Sequence, residues 1–154
     1  FKYKGKIQLA RPLAELLLMA FGFFWDKDSI DLVVPVPLHL KRLRKRGFNQ
    51  AYLLIRNWQT ITGQGPFDLS DLQIERDVIV RNVSTVPQTG LGRRQRAANI
   101  KEAFELVDEA KIIDKRILLV DDVYTTGATA DECACLLLHH GAAHVDVLSL
   151  ARAV

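Results

Sequence analysis

Two cysteines, one methionine, two tryptophans and five prolines are all that this 154-residue chain holds of those residue types. Cys133 and Cys135 are too few and too close for a disulfide framework, which points to a reducing compartment. No basic segment, apolar core and small-residue cleavage site open the chain, so a cytoplasmic protein is expected. Because the first residue is Phe1 and not methionine, a processed or truncated chain is expected. Long apolar runs are also missing. The charge-free stretch 16–25 has ten residues, about half of the ~20 that span a bilayer, so it is expected as a core helix and no membrane association follows. There is no internal repeat and no low-complexity tract, and disorder, collagen and coiled coil are excluded. What remains, 49% hydrophobic and 25% charged residues in 17.4 kDa, describes one ordinary soluble domain able to bury a core without staples.

Charge is scarce in net terms, at +3, but it is unevenly divided. The first 100 residues hold 16 basic and 8 acidic side chains, and the other 54 hold 5 and 10, giving +8 against −5. An anionic ligand on one side, and a cation or hydroxyl-rich ligand on the other, would explain the split.

Apolar spacing sketches the elements. Pro12 stands where a helix can start, and Leu13, Leu16, Leu17, Ala20 and Phe24 follow on one face, with Gly22 weakening the end. Residues 30–37, Ile-Asp-Leu-Val-Val-Pro-Val-Pro, read as a strand covered on both sides. Ala51, Leu54, Ile55 and Trp58 predict an amphipathic helix ending before Gly63, with Trp58 in the core. Val78, Ile79 and Val80 form a brief strand. Residues 81–99 are polar, basic and punctuated by Pro87, Gly90 and Gly92, the composition of a long loop, and such loops often close over ligands. The last third predicts a strand over 117–120, a turn through Thr125, Thr126 and Gly127, a helix to His140 stopped by Gly141, and a strand over about 144–150. That is a βαβ unit with parallel strands, and the class is α/β.

The chemistry concentrates at that turn. Ile117, Leu118, Leu119 and Val120 lead into Asp121 and Asp122, then Val123 and Tyr124, then Thr125, Thr126, Gly127, Ala128 and Thr129. Ligands of open α/β sheets collect beyond the carboxyl ends of strands, where the next helix offers unpaired N–H groups. Residues 125–129 can wrap a phosphate with backbone donors and hydroxyls. The two carboxylates accept hydrogen bonds only, which suits sugar hydroxyls or hydrated magnesium. Taken singly, the acids describe a solvated strand end and the threonines an ordinary turn. Their order, between four aliphatic residues and an apolar-striped helix, is far more specific and describes a ribose 5-phosphate site.

This segment resembles the phosphoribosyl pyrophosphate signature of the type I phosphoribosyltransferases. Val34, Pro35, Val36, Pro37, Leu38 and His39, then Arg42 and the run Arg46, Gly47, Phe48, Asn49, Gln50, look like the ComF branch. So do Arg81, Gln88, Leu91, Arg96, Asn99, Ala103 and Phe104. The resemblance covers nearly the whole chain and implies an α/β fold: a mostly parallel twisted sheet flanked by helices, with a small irregular hood drawn from residues 1–30 and 60–77. It implies a single domain over 1–154, without the four-cysteine zinc module that precedes it in many members, and a flexible active-site loop over 82–99.

It further implies that Asp121 and Asp122 are catalytic, contact the ribose hydroxyls and hold Mg2+, directly or through water. Val123, Thr125, Thr126, Gly127, Ala128 and Thr129 would hold the 5-phosphate. Val36, Pro37, Arg42 and Arg46 would hold the pyrophosphate, and Arg81, Gln88, Arg93, Arg96 and Asn99 would travel on the loop. The implied reaction displaces pyrophosphate from ribose C1 by a nitrogen nucleophile of unspecified identity. His39 is a candidate base, though such a residue more often serves structure. Ala130, Cys133, Ala134 and Leu137 give the last helix its buried stripe, so Cys135, two positions on, faces nearly the opposite way; Cys135 and His139 are too few for a metal site and read as surface residues. An alternative, single-stranded DNA binding gated by phosphoribosyl pyrophosphate, with a competence helicase or uptake proteins as partners, draws on the basic run 41–46 with Phe48 and Tyr52 nearby.

Overall fold

The computed structural model describes residues 7–62, 69–82 and 103–153. Helix α1 (Ala10–Phe24) opens the fold and buries Ala10, Ala14, Leu17, Leu18 and Phe21 on one stripe. It starts before Pro12, whose missing N–H falls in the first turn, where no intrahelical acceptor exists anyway. Gly22 does not end it; the Trp25 N–H still donates to the Phe21 carbonyl at 2.9 Å.

Strand β1 (Leu32–Pro35) lies next, followed by the short helices α2 (Leu40–Arg46), α3 (Gln50–Ile55) and α4 (Trp58–Thr62). The single helix expected through Trp58 is therefore two, interrupted at Arg56 and Asn57. Trp58 is fully buried, as its place on the apolar stripe predicts, with its ring 5.4 Å from that of Phe21. Strands β2 (Gln73–Ile74), β3 (Ile79–Arg81), β4 (Phe104–Leu106) and β5 (Arg116–Tyr124), helix α5 (Ala128–His139) and strand β6 (His144–Arg152) complete the described elements. Of the segments expected as irregular hood, one thus supplies a core helix and the other the edge strand β2.

The main sheet runs β2-β1-β5-β6, every pair parallel, while β3 and β4 form a separate antiparallel pair. Successive side chains of a strand point to opposite faces. Val33, Leu118 and Val120 accordingly pack with α1, α3 and Trp58, and Leu32, Val34, Ile117 and Leu119 pack with Cys133 and Leu137 of α5 and with Ile79 and Phe104 of the small sheet. Both faces are covered, which is why these strands read as unbroken apolar runs. Deleting a side chain such as Leu118 from this core would cost on the order of 2–5 kcal/mol.

One strand boundary needs correction. Strand β5 continues through Asp121, Asp122, Val123 and Tyr124, because β6 pairs with it as far as Arg152. The cysteines lie as the helical stripe predicts: Cys133 is buried and Cys135 exposed, since positions two apart on a helix face different ways. Among the described residues no helix is long and apolar enough to cross a membrane.

Candidate functional site

Pairing between β1 and β5 stops at Pro35 and Val120, so the two chains separate at their carboxyl ends. The Val36 N–H still reaches the Val120 carbonyl at 2.8 Å, after which a cleft of about 200 Å³ opens. Its walls bring together Val36, Pro37, Arg42 and Arg46 from one side and Asp121, Asp122, Val123, Thr125 and Thr129 from the other. By strand alternation Asp121 belongs to the α5 face and Asp122 to the α1 face, yet both border the opening because no neighbour continues β1 beside them. The Asp122 N–H donates to Asp121 Oδ1 at 2.8 Å, fixing the first carboxylate at the strand end.

Thr126, Gly127 and Ala128 lie outside the cleft lining but shape its end. Gly127 caps α5 with φ +82°, a left-handed conformation that glycine adopts without strain, and Thr126 Oγ1 accepts from the Ala128 N–H at 3.5 Å. Thr125 and Thr129, on either side of this turn, line the cleft together with the two acids.

Helix α2 explains how a run of five cations in six residues divides its work. Arg42 and Arg46, four apart, share the face that borders the cleft, while Lys41, Arg44 and Lys45 are exposed on the other. His39 caps the helix: it is 7% exposed, and its Nδ1 accepts from the Lys41 N–H at 3.1 Å. That is a structural role. Gly47, at φ +79°, ends α2 with its N–H on the Leu43 carbonyl at 2.7 Å.

Arg81 requires a further correction. Expected on the flexible loop, it stands in β3, pairs with Phe104 of β4, and is 8% exposed with its guanidinium 5.2 Å over the Phe104 ring. It too lines the cleft. Burial first, and the facing charge of Arg42 second, lower its pKa, with the neighbouring Cys133 acting in the opposite direction. An arginine so placed stays charged, and two like charges facing one space favour an anion between them. Gln88, Arg93, Arg96 and Asn99, with residues 83–99 of the expected loop, lie outside the described residues.

Sequence reasoning missed Asn49 and Gln50 as site residues. Asn49 Nδ2 donates to the Val36 carbonyl at 3.0 Å, and its Oδ1 accepts from the Ala51 N–H, tying the segment after β1 to α3. Gln50 is 2% exposed, lines the cleft, and its Nε2 has no hydrogen-bond partner among the described residues. The signal was their place directly after the basic run, but nothing local distinguishes them from an ordinary N-cap and first turn. Among the described residues no three His, Cys, Asp or Glu side chains converge as a cage. Asp121 and Asp122 suit a magnesium ion of the kind that takes its other ligands from water and phosphate oxygens.

Fold and cleft together define the class. The chain superposes on a glutamine phosphoribosylpyrophosphate (PRPP) amidotransferase from B. subtilis with a TM-score of 0.57, at 15% identity, covering 94% of this chain and 26% of that one. With a hypoxanthine-guanine phosphoribosyltransferase from Bacillus anthracis the values are 0.53, 18%, 98% and 72%. The architecture is the type I phosphoribosyltransferase fold.

No family model matches the chain. It is 34% identical over 160 residues to competence protein F of Haemophilus influenzae, covering 99% of this chain and 65% of that protein. It is 34% identical to the DNA utilization protein YhgH of Escherichia coli, at 98% and 63%, and to competence protein ComFC of Streptococcus pneumoniae, at 99% and 60%. The chain is thus similar over nearly its whole length to competence protein F, YhgH and ComFC. It spans less than two thirds of the length of these curated relatives.

Proposed function

We propose that the cleft binds phosphoribosyl pyrophosphate with Mg2+, and that the protein transfers the phosphoribosyl group to a nitrogen acceptor in the cytoplasm with release of pyrophosphate. The observation that carries this reading is the juxtaposition of Arg42, Arg46 and Arg81 with Asp121 and Asp122 around one opening beside the Thr125–Thr129 turn. Three cations face two acceptor-only carboxylates, the arrangement a diphosphate attached to a sugar would satisfy. Gln50 adds a buried amide donor whose partner a ligand oxygen would supply, and such a donor is costly to leave unpaired.

In this reading Val123, Thr125, Thr126, Gly127, Ala128 and Thr129 hold the 5-phosphate, with backbone donors at the start of α5 carrying most of the contact. Asp121 and Asp122 accept from the ribose hydroxyls and stabilise positive charge developing on the sugar ring. Val36 and Pro37 frame the pyrophosphate, and Arg42, Arg46 and Arg81 neutralise it as it leaves. When bound, Mg2+ would be held by Asp121 and Asp122 and would stabilise charge on the leaving oxygens. Gln88, Arg93, Arg96 and Asn99 belong to the segment proposed to close over the substrate. The acceptor attacks C1 from the side away from these arginines, since an oxocarbenium-like displacement sets nucleophile and leaving group on opposite faces.

The test is calorimetry and pyrophosphate release with phosphoribosyl pyrophosphate, Mg2+ and a panel of nitrogen acceptors. Binding should require Mg2+ and fall at least ten-fold in Asp121→Asn and Asp122→Asn; no binding at millimolar ligand would sink the site assignment.

The exposed face of α2 favours a second reading. Lys41, Arg44 and Lys45 face away from the cleft, and relatives carry the names competence protein and DNA utilization protein. Binding of single-stranded DNA gated by the same small ligand, in concert with a helicase or uptake proteins, would use that face. Its affinity should fall steeply with salt, and a flat salt dependence would eliminate phosphate contacts.

A further inference from the structure

A second hollow lies against the cleft and is larger, at about 540 Å³, within the usual range for small-molecule sites. Leu40 and Leu43 of α2, Phe48, Leu53 of α3 and Ile79 of β3 give it apolar walls. The Tyr52 ring also borders it, with the Arg76 guanidinium 5.9 Å over that ring, and Arg56 and Asn82 add polar groups at the rim. The lining holds three arginines, Arg56, Arg76 and Arg81, against one acid, Asp77, which pairs with Arg76 at 2.8 Å, so its formal charge is positive. Pro37, Leu38, Asn49 and Arg81 line both spaces, which makes the buried Arg81 guanidinium part of the wall they share.

Position excludes the simplest occupant. The hollow adjoins the arginines on the pyrophosphate side, so an acceptor seated there would approach C1 from the face the leaving group occupies. A different ligand is required: one with a flat apolar body to pack between Leu43, Phe48 and Tyr52, and an anionic group to meet Arg81. A nucleotide has both, separated by one sugar.

We propose that this hollow is a second ligand subsite that takes a free mononucleotide, its base between α2 and α3 and its phosphate at Arg81. The inference rests on the pyrophosphate reading of the neighbouring cleft for its exclusion of the acceptor. Two anions then share one arginine, so nucleotide and phosphoribosyl pyrophosphate weaken each other, and by the same factor in both directions.

The test is calorimetry on the full chain with AMP, alone and with saturating phosphoribosyl pyrophosphate and Mg2+. Leu43→Trp fills the hollow, and Arg76→Ala removes the guanidinium over Tyr52 at the surface. AMP affinity should fall at least ten-fold in L43W and several-fold in R76A, with phosphoribosyl pyrophosphate affinity unchanged in both. No AMP binding at 5 mM, or binding that neither substitution alters, overturns the subsite. Binding of oligothymidylate but not AMP, lost in L43W, overturns the mononucleotide in favour of a single strand. Equal AMP affinity with and without phosphoribosyl pyrophosphate overturns the placement of the phosphate at Arg81. If phosphoribosyl pyrophosphate fails to bind while AMP binds in a Leu43→Trp-sensitive manner, the hollow stands and the reading of the cleft falls.

Discussion

Tyr124 and Gly127 are packed so closely that a Cβ added to the glycine would collide with the tyrosine hydroxyl. Gly127 also holds φ +82°, a conformation that costs an L residue roughly 1–2 kcal/mol. Gly127→Ala should therefore lower the melting temperature and abolish ligand binding at the turn. The double variant with Tyr124→Ala should recover only part of the stability, because the side-chain collision is relieved and the backbone strain is not. Full recovery would mean that the conformation carries no cost.

Gln50 separates stability from binding. Its Nε2 is buried in the cleft wall with no hydrogen-bond partner among the described residues. Gln50→Met keeps the length of the side chain and removes the amide, so the ligand-free melting temperature should hold or rise while phosphoribosyl pyrophosphate affinity falls about ten-fold, roughly the value of one hydrogen bond to a charged group. A marked loss of stability with unchanged affinity would assign Gln50 to the core alone.

Arg42 and Arg81 give an electrostatic test. Their mutual repulsion is part of what lowers the Arg81 pKa. Arg42→Ala should weaken phosphoribosyl pyrophosphate binding and flatten its salt dependence, while the ligand-free protein becomes no less stable. A loss of stability without ligand would show that Arg42 serves the fold.

At the opposite end of the sheet, Asp31 clasps Arg116: Oδ2 accepts from the Arg116 backbone N–H at 2.8 Å and from Nε at 3.0 Å, and Oδ1 accepts from Nη2 at 2.8 Å. The side-chain hydrogen bond from Arg116, then the backbone one, lowers the Asp31 pKa from 3.8 to about 2. A carboxyl depressed on folding stabilises the native state above its unfolded pKa and loses that contribution as pH falls through the folded value. The difference in melting temperature between wild type and Asp31→Asn should be constant above about pH 5 and shrink between pH 4 and 2. A difference that reaches pH 2 undiminished would exclude ionisation as its source.

Cys133 and Cys135 differ in burial, and burial, followed by the charge of Asp121, pushes the Cys133 thiol up. Iodoacetamide should label one thiol in the native protein and two after denaturation, with peptide mapping placing the first on Cys135. Native labelling of Cys133 would contradict its packing against the sheet.

The parallel sheet, the βαβ unit and the turn at Gly127 were legible in the sequence because each depends on neighbours along the chain: aliphatic runs mean strands covered twice, and Gly127 among threonines means a turn between strand and helix. Trp58 was legible as core for the same reason, from its spacing with Leu54 and Ile55. The interruption at Arg56 and Asn57 carried no local signal.

What tertiary structure alone decided is which side chains meet. The run 41–46 reads as one block of charge, and only the docking of α2 beside β1 turns Arg42 and Arg46 toward the cleft while leaving Lys41, Arg44 and Lys45 outside. Arg81 reads as the first residue of a basic loop. Pairing with Phe104, 23 residues away, makes it a buried cation in the wall between two cavities. Spacing along a chain reports which face of its own element a residue occupies, whereas the approach of distant elements depends on how all the apolar faces are covered at once. Aliphatic runs and helical spacing along the chain marked an α/β fold, and packing against both faces of one sheet assembled its cleft.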